Sequence, residues 1–139
     1  MKNLQITAYM QHFIRQQVMP GDICIDATMG NGNDTALLSQ LAGKRGRVLA
    51  FDIQKQALEH TKERLKRDNC PENYQLLLES HENMDVYAEE ETVSCITFNL
   101  GYLPGGDHSV ATRADSSKRA VESGLTLLKK GGLMTLCIY

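Results

Sequence analysis

Acidic and glycine residues are concentrated in one short segment, DATMGNGND, which runs from Asp26 to Asp34. Apolar residues precede this segment and TALLSQLAG follows it, so the sequence predicts a buried strand, a glycine turn and a helix in that order. Gly30 and Gly32 can adopt positive φ and allow a ligand to approach the backbone closely. The first N–H groups of the following helix lack partners within it and would face the same ligand. The segment is therefore typical of a nucleotide-binding βαβ unit.

A further acidic residue fits the same kind of ligand. Asp52 ends the next strand-like stretch, RVLAFDI, where a carboxylate can accept hydrogen bonds from both hydroxyls of a ribose. The dinucleotide fingerprint requires a third glycine where this sequence has Thr35, and Asp34 at the positive end of the helix disfavours a pyrophosphate. S-adenosylmethionine (SAM) fits better, because its sulfonium and ammonium groups are attracted to the carboxylates of Asp26 and Asp34.

Each of these acidic residues also has an ordinary structural explanation when it is taken alone. Asp34 can cap the helix, and Asp26 can form a turn at the end of the strand. The combination of Asp26, the two glycines and Asp52, in register with two strands, favours the binding of a ligand over these separate explanations.

Strand-like and helix-like segments alternate along the 139 residues, which suffice for one domain with a hydrophobic core. Nearly continuous apolar strands between helices predict an α/β fold with a doubly wound parallel sheet. Ligands of such sheets bind at the carboxyl ends of the strands. Strands are predicted at 23–27, 47–53, 74–78, 93–100 and 131–139, and helices at 4–18, 34–42, 54–68, 81–90 and 115–129. In the last helix, Val121, Leu125 and Leu128 are expected to face the core.

The composition narrows the classes of partner. A net charge of −2 argues against a broad basic surface, so a contact with nucleic acid would have to be local. No apolar run reaches membrane-spanning length and the amino-terminal residues lack the apolar region of a signal peptide, so we expect a cytoplasmic protein. The cysteines have no CxxC spacing, which favours buried thiols over a metal site, and no metal is expected.

Three segments, DATMGNGND, FDIQ and NLGYLPGGDH, together resemble the class I SAM-dependent methyltransferases. More narrowly, they resemble a family of small bacterial proteins labelled rRNA methylases. Members of that family methylate 5-aminomethyl-2-thiouridine at the wobble position of tRNA. The resemblance implies a Rossmann-like fold, SAM as the cofactor and the anticodon stem-loop of tRNA as the partner. Family members continue with two more strands, so residues 1–139 are expected to be a single domain truncated at the carboxyl terminus, with an edge strand open to pairing, as in a homodimer.

The resemblance also implies roles for the cofactor loops. Asp52 would hold the ribose and Ile53 would flank the adenine, while Ser80 and His81 follow the third strand where methyltransferases contact the adenine ring. His81 could equally cap the short helix after this strand. The full set of expected cofactor contacts is Asp26, Thr28, Gly30, Asn31, Gly32, Asn33, Asp34, Thr35, Asp52, Ile53, Ser80 and His81.

The segment NLGYLPGGDH lies where methyltransferases that act on amines carry an Asn/Asp-Pro-Pro-Tyr/Phe motif. Here Leu-Gly replaces Pro-Pro. The expected catalytic residues are Asn99, whose carbonyl can align the nucleophilic nitrogen, Tyr102, which offers an aromatic face, and Asp107, which can bind an ammonium or take its proton. Asp107 could instead only form a turn. The expected substrate contacts are Tyr102, Pro104, Gly105, Gly106, His108 and Arg113.

Basic residues occur in two clusters. The first, which includes Arg113, Lys118 and Arg119, lies beside the predicted acceptor loop and could hold RNA phosphates. The second lies at 62–67 with interleaved glutamate and is better explained as a solvated helix face.

Three other functions remain open at this point. They are methylation of rRNA or of a small-molecule amine, NAD-dependent oxidoreduction, and non-catalytic binding of SAM or RNA.

Overall fold

The computed structural model describes residues 2–101 and 108–138, and the side chains of residues 6–101 and 114–138. Helices and strands alternate along the chain, as the sequence predicts. The elements are α1 (Lys2–Gln17), β1 (Ile23–Asp26), α2 (Asn33–Ala42), β2 (Arg47–Asp52), α3 (Lys55–Arg67), β3 (Tyr74–Leu78), a 3₁₀ helix (His81–Val86), β4 (Val93–Leu100), α4 (His108–Leu127) and β5 (Leu128–Ile138).

The strands form one sheet in the order β3-β2-β1-β4-β5, and every neighbouring pair is parallel. The predicted parallel sheet is therefore confirmed. The strand order changes direction at β1, because β2 pairs with one edge of β1 and β4 pairs with the other. Among the described residues, β5 pairs only with β4 and lies at an edge of the sheet.

Helices cover both faces of the sheet. On one face, α1 and α2 bury a cluster against alternate strand residues, including Cys24, Val48 and Cys95. On the other face, the 3₁₀ helix and α4 pack on the intervening residues, including Ile25 and Leu49. This alternation follows from the period of two in a strand, and it confirms the doubly wound arrangement. In the part of the chain that the structure describes, no helix is long and apolar enough to cross a membrane.

The boundaries of two predicted helices are wrong. The helix after β3 is a 3₁₀ helix of six residues that ends at Val86 and does not extend to residue 90. Helix α4 begins at His108, not at residue 115, because neither proline nor glycine interrupts the chain between His108 and Gly124. It ends at Leu127, so Leu128 is the first residue of β5.

The buried face of α4 differs from the predicted one at Leu125, whereas Val121 packs partly buried against the core as predicted. Leu125 is 59% exposed, whereas the buried positions are Ser117, Ala120, Gly124 and Leu127, which recur at helical spacing. A Cβ atom at Gly124 would lie 2.8 Å from the Cε atom of Met134. The helix therefore packs on the sheet through small residues, and this close approach leaves Leu125 on the outer side.

Two leucines that lie two positions apart near the end of α4 test this orientation of the helix. Leu127→Ala removes a fully buried side chain and should lower the free energy of unfolding by about 2–5 kcal/mol. The same substitution at exposed Leu125 should change it by less than about 1 kcal/mol. Urea denaturation of both variants measures the difference, and equal losses would contradict the packing described for α4.

Candidate active site

Two adjoining cavities form one cleft over the carboxyl ends of β1, β2 and β4. The glycine-loop cavity, of about 300 Å³, is lined by the loop after β1 together with Asp34 and Thr7 of α1. The β3-side cavity, of about 340 Å³, is lined by the loops after β2, β3 and β4 and by α4. Both cavities share Thr28, Asp52 and Asn99. The cleft therefore brings together residues that the sequence places in four separate loops.

The turn after β1 depends on its glycines. Gly30 and Gly32 have φ values of +50° and +86°, in the left-handed region that side chains disfavour. A Cβ atom at Gly32 would also lie 3.0 Å from the Cα atom of Thr61, so α3 packs directly against the turn. Gly32 is the N-cap residue of α2, and no side chain caps that end. The possibility that Asp34 caps the helix is therefore wrong.

Asp26 is completely buried at the end of β1. One carboxylate oxygen accepts a hydrogen bond from the backbone N–H of Thr28 at 3.1 Å, and the other accepts from the Thr35 hydroxyl at 2.6 Å. Burial raises the pKa of Asp26 to about 7, and the nearby carboxylate of Asp34 adds to the shift. A cationic ligand group entering the cleft would favour the ionised form of Asp26.

Asp34 connects three elements of the fold. Its Oδ1 atom accepts a hydrogen bond from Nε2 of Gln11 in α1 at 3.0 Å. Its Oδ2 atom accepts from Nδ2 of Asn99, at the end of β4, at 2.8 Å. The backbone N–H of Asn99 donates to the Thr28 hydroxyl at 2.7 Å. The loops after β1 and β4 are thus joined at the point where the strand order changes direction.

Asp52 and Ile53 lie at the end of β2, where both line the β3-side cavity. The Asp52 carboxylate accepts hydrogen bonds from the backbone N–H groups of Gly30 at 3.2 Å and Gln54 at 2.9 Å. Each carboxylate oxygen can accept more than one hydrogen bond, so the group is oriented yet can still bind hydroxyls. Ile53 is 65% exposed and offers an apolar surface beside it.

Ser80 and His81 have different roles in the loop after β3, although both line the β3-side cavity. Ser80 is the N-cap of the 3₁₀ helix, so this role does not fall to His81. Nδ1 of His81 lies 2.9 Å from the carbonyl oxygen of Ala27. A carbonyl only accepts, so Nδ1 carries the proton. Burial lowers the pKa of His81, which favours the neutral ring.

Glu82 links this loop to α4. Its carboxylate accepts hydrogen bonds from the Ser80 hydroxyl at 3.0 Å and from Nε of Arg119 at 2.9 Å. Arg119 belongs to the basic cluster that was expected to be able to hold RNA phosphates, and it is instead paired with an acidic residue of the protein. The contact holds α4 beside the cleft, where Ser116 and Ser117 form part of the wall.

The other predicted site residues fall into three groups. Asn31 and Asn33 line the glycine-loop cavity, and Asn33 also accepts a hydrogen bond from Arg64. Gly32 and Thr35 are buried and do not line either cavity, so they support the turn from the interior of the protein. The remaining residues lie outside the described backbone or the described side chains. They are Tyr102, Pro104, Gly105, Gly106 and Asp107, together with His108 and Arg113, whose backbone belongs to α4.

Several residues of the site were not predicted. Three of them, Met29, Gln54 and Glu79, are adjacent or close to predicted site residues near strand ends. Their place in the sequence could therefore have indicated that they belong to the site. Thr7 and Gln11 had no such signal, because only the packing of α1 on the sheet brings them to the cleft. Among the described residues, no group of three or more histidine, cysteine, aspartate or glutamate side chains could hold a metal ion.

The strand order, the glycine turn after β1 and the cleft at the change of direction define a Rossmann-like fold of the class I methyltransferase type. The family described as "Putative rRNA methylase" matches residues 48–139. The chain belongs to this family.

Three relatives document the similarity. The chain is 38% identical over 92% of its length to an Arabidopsis thaliana protein named tRNA (mnm(5)s(2)U34)-methyltransferase, chloroplastic, and spans about half (50%) of that protein. A Clostridium thermocellum structure described as a putative rRNA-methylase has 41% identity and a TM-score of 0.82 over 92% of this chain and 68% of its own. A Streptococcus mutans methyltransferase homologue solved in complex with SAH has 40% identity and a TM-score of 0.77, over 92% of this chain and 70% of its own.

The buried carboxyl of Asp26 predicts a pH dependence. Because its folded-state pKa lies near 7 and above the ordinary value of 3.8, Asp26 lowers stability as pH rises through this interval. Asp26→Asn removes this effect, and the Thr35 hydroxyl can accept from the new amide. The stability of the variant relative to the unmodified protein should therefore rise between about pH 4 and pH 7 and then level off.

Urea denaturation across this pH range measures the difference, with Asp85→Asn at an exposed position as the control for loss of one carboxylate. A difference that does not change with pH would contradict the raised pKa.

Proposed function

We propose that this protein transfers a methyl group from SAM to RNA, and that the acceptor is the 5-aminomethyl group of wobble 2-thiouridine in tRNA. The observation that carries the proposal is the position of Asn99. This residue of the methyltransferase-like motif lies in the same cleft as the glycine turn and Asp52. A cofactor and an acceptor amine could therefore meet there.

The residues of the cleft fit SAM. The Asp52 carboxylate would accept hydrogen bonds from the ribose hydroxyls, and Ile53 and His81 would contact the adenine in the β3-side cavity. The carboxylates of Asp26 and Asp34 would lie near the cationic methionyl part, which suits a cation and opposes a pyrophosphate. When bound, SAM supplies an electrophilic methyl group. The complex of the Streptococcus mutans relative with SAH supports this assignment.

On the acceptor side, the protein's task is to position the nucleophile. Asn99 ends a buried strand and its backbone N–H is fixed by Thr28. Its side-chain carbonyl would accept a hydrogen bond from the amine and direct the nitrogen lone pair toward the methyl group. Holding the reactants in line accounts for most of the rate gain in such a transfer. Tyr102 would contact the base, and Asp107 would bind the protonated amine or take its proton.

The tRNA substrate rests on similarity to the Arabidopsis thaliana protein, whose name specifies the wobble position. The family description instead names rRNA, so rRNA is the second candidate substrate. A nicotinamide dinucleotide is disfavoured because Asp34 lies in the first turn of α2, where a pyrophosphate would bind.

Nucleoside mass spectrometry tests the proposed function. Full-length protein is incubated with SAM and with either tRNA carrying 5-aminomethyl-2-thiouridine or ribosomal RNA. We expect one added methyl group on the tRNA nucleoside and none on rRNA. Asn99→Ala should lower this turnover by about 10²-fold or more, because a positioning group is lost. The exposed Asn83→Ala serves as the matched control. Methylation of rRNA alone would reject the tRNA substrate, and no methylation of either would reject the activity.

A further inference from the structure

Three hydrogen-bonded polar side chains, those of Gln11, Asp34 and Asn99, link α1 to β4 across the cleft. Nε2 of Gln11 donates to Oδ1 of Asp34 at 3.0 Å, and Nδ2 of Asn99 donates to Oδ2 of the same carboxylate at 2.8 Å. Both hydrogen bonds are partly buried. The two contacts join residues that are 23 and 65 positions apart in sequence, so they are part of the tertiary structure and not of a local turn.

The hydrogen bonds among these three side chains fix the direction of the Asn99 amide. A terminal amide has two nearly equivalent orientations, related by rotation about its last torsion. An ionised carboxylate can only accept hydrogen bonds, so it selects the orientation in which the NH₂ group of Asn99 faces Asp34. The opposite orientation would place two oxygens against each other. The carbonyl oxygen of Asn99 is consequently directed away from Asp34, as an acceptor for a substrate N–H requires.

Gln11 completes this arrangement because it holds the carboxylate. Its amide donor binds Oδ1 of Asp34, which leaves Oδ2 facing Asn99. Helix α1 is held firmly, because its residue Ile14 and Val18, which directly follows the helix, are buried against the sheet. On the same helix and one turn earlier, Thr7 lines the glycine-loop cavity. Helix α1 thus forms one wall of the cleft and also orients a group within it.

We propose that Gln11 is a positioning residue that acts through Asp34 to hold the Asn99 amide in its reactive orientation. The inference rests on the proposed methyl transfer. It gives Asp34 a role that differs from attraction of the cationic cofactor. A residue that attracts the cofactor affects SAM affinity, whereas a residue that orients Asn99 affects the rate of transfer once both substrates are bound.

Steady-state kinetics and calorimetry distinguish these roles in the full-length protein. Gln11→Ala should lower kcat by about tenfold, on the scale of one net hydrogen bond, and should leave the Kd for SAM unchanged. In an Asn99→Ala background, Gln11→Ala should have no further effect on kcat, because the group it orients is absent. Gln16→Ala, at an exposed position of the same helix, should match the unmodified protein.

The NMR signals of the Asn99 side-chain amide provide a measurement that does not depend on turnover. These signals are assigned by their absence from the spectrum of Asn99→Ala. They should shift or broaden in Gln11→Ala and stay in place in Gln16→Ala. Multiplicative losses of kcat in the double variant, a change in SAM affinity alone, or unchanged Asn99 signals would each overturn the inference. Absence of methyl transfer by the unmodified protein would instead reject the proposed function, and the NMR result would then decide the positioning role by itself.

Discussion

The change of strand order at β1 is the constraint on which the site depends. The chain passes from β1 to β2 on one side and later returns to β4 on the other, so the loops after β1 and β4 diverge and leave a cleft between them. Two contacts hold the edges of this cleft together, namely the backbone N–H of Asn99 on Thr28 and the amide of Asn99 on Asp34. A group placed at the end of β4 is therefore fixed relative to the glycine turn.

The electrostatic properties of the cleft follow from the close placement of two carboxylates, Asp26 and Asp34. Asp26 is buried beneath the turn and is satisfied by Thr28 and Thr35, while Asp34 is bound by two amides. Both carboxylates are oriented by neutral donors, and among the described side chains neither forms an ion pair with a basic residue. The carboxylate of Asp34 thus remains available to a cationic ligand, and such a ligand would also favour the ionised form of buried Asp26. The two carboxylates distinguish the cleft from phosphate-binding sites on similar folds, where no acidic side chain lies at the N-terminus of the helix.

The sequence was sufficient for the parts of the structure that depend on local pattern. Apolar runs located all five strands, and Gly30 and Gly32 located the turn, because positive φ restricts the choice of residue. It was insufficient where tertiary packing decides. The buried face of α4 includes small residues such as Gly124, and a pattern based on large apolar residues does not detect them. Gln11 reaches the cleft only because α1 packs on the sheet. Thr35 is a support for Asp26 rather than part of the cleft wall.

The most direct test of this account is the affinity of SAM for an Asp52→Ala variant, measured by calorimetry with Asp85→Ala as the control at an exposed site. Asp52 should accept two ribose hydrogen bonds, each worth about 1.5–3 kcal/mol because the acceptor is charged. Because about 1.4 kcal/mol corresponds to a factor of ten, the affinity of the Asp52→Ala variant should fall by about 100-fold or more, with no change in the control. An unchanged affinity for SAM in Asp52→Ala would show that the ribose does not bind at the end of β2, and the assignment of the cleft would be wrong.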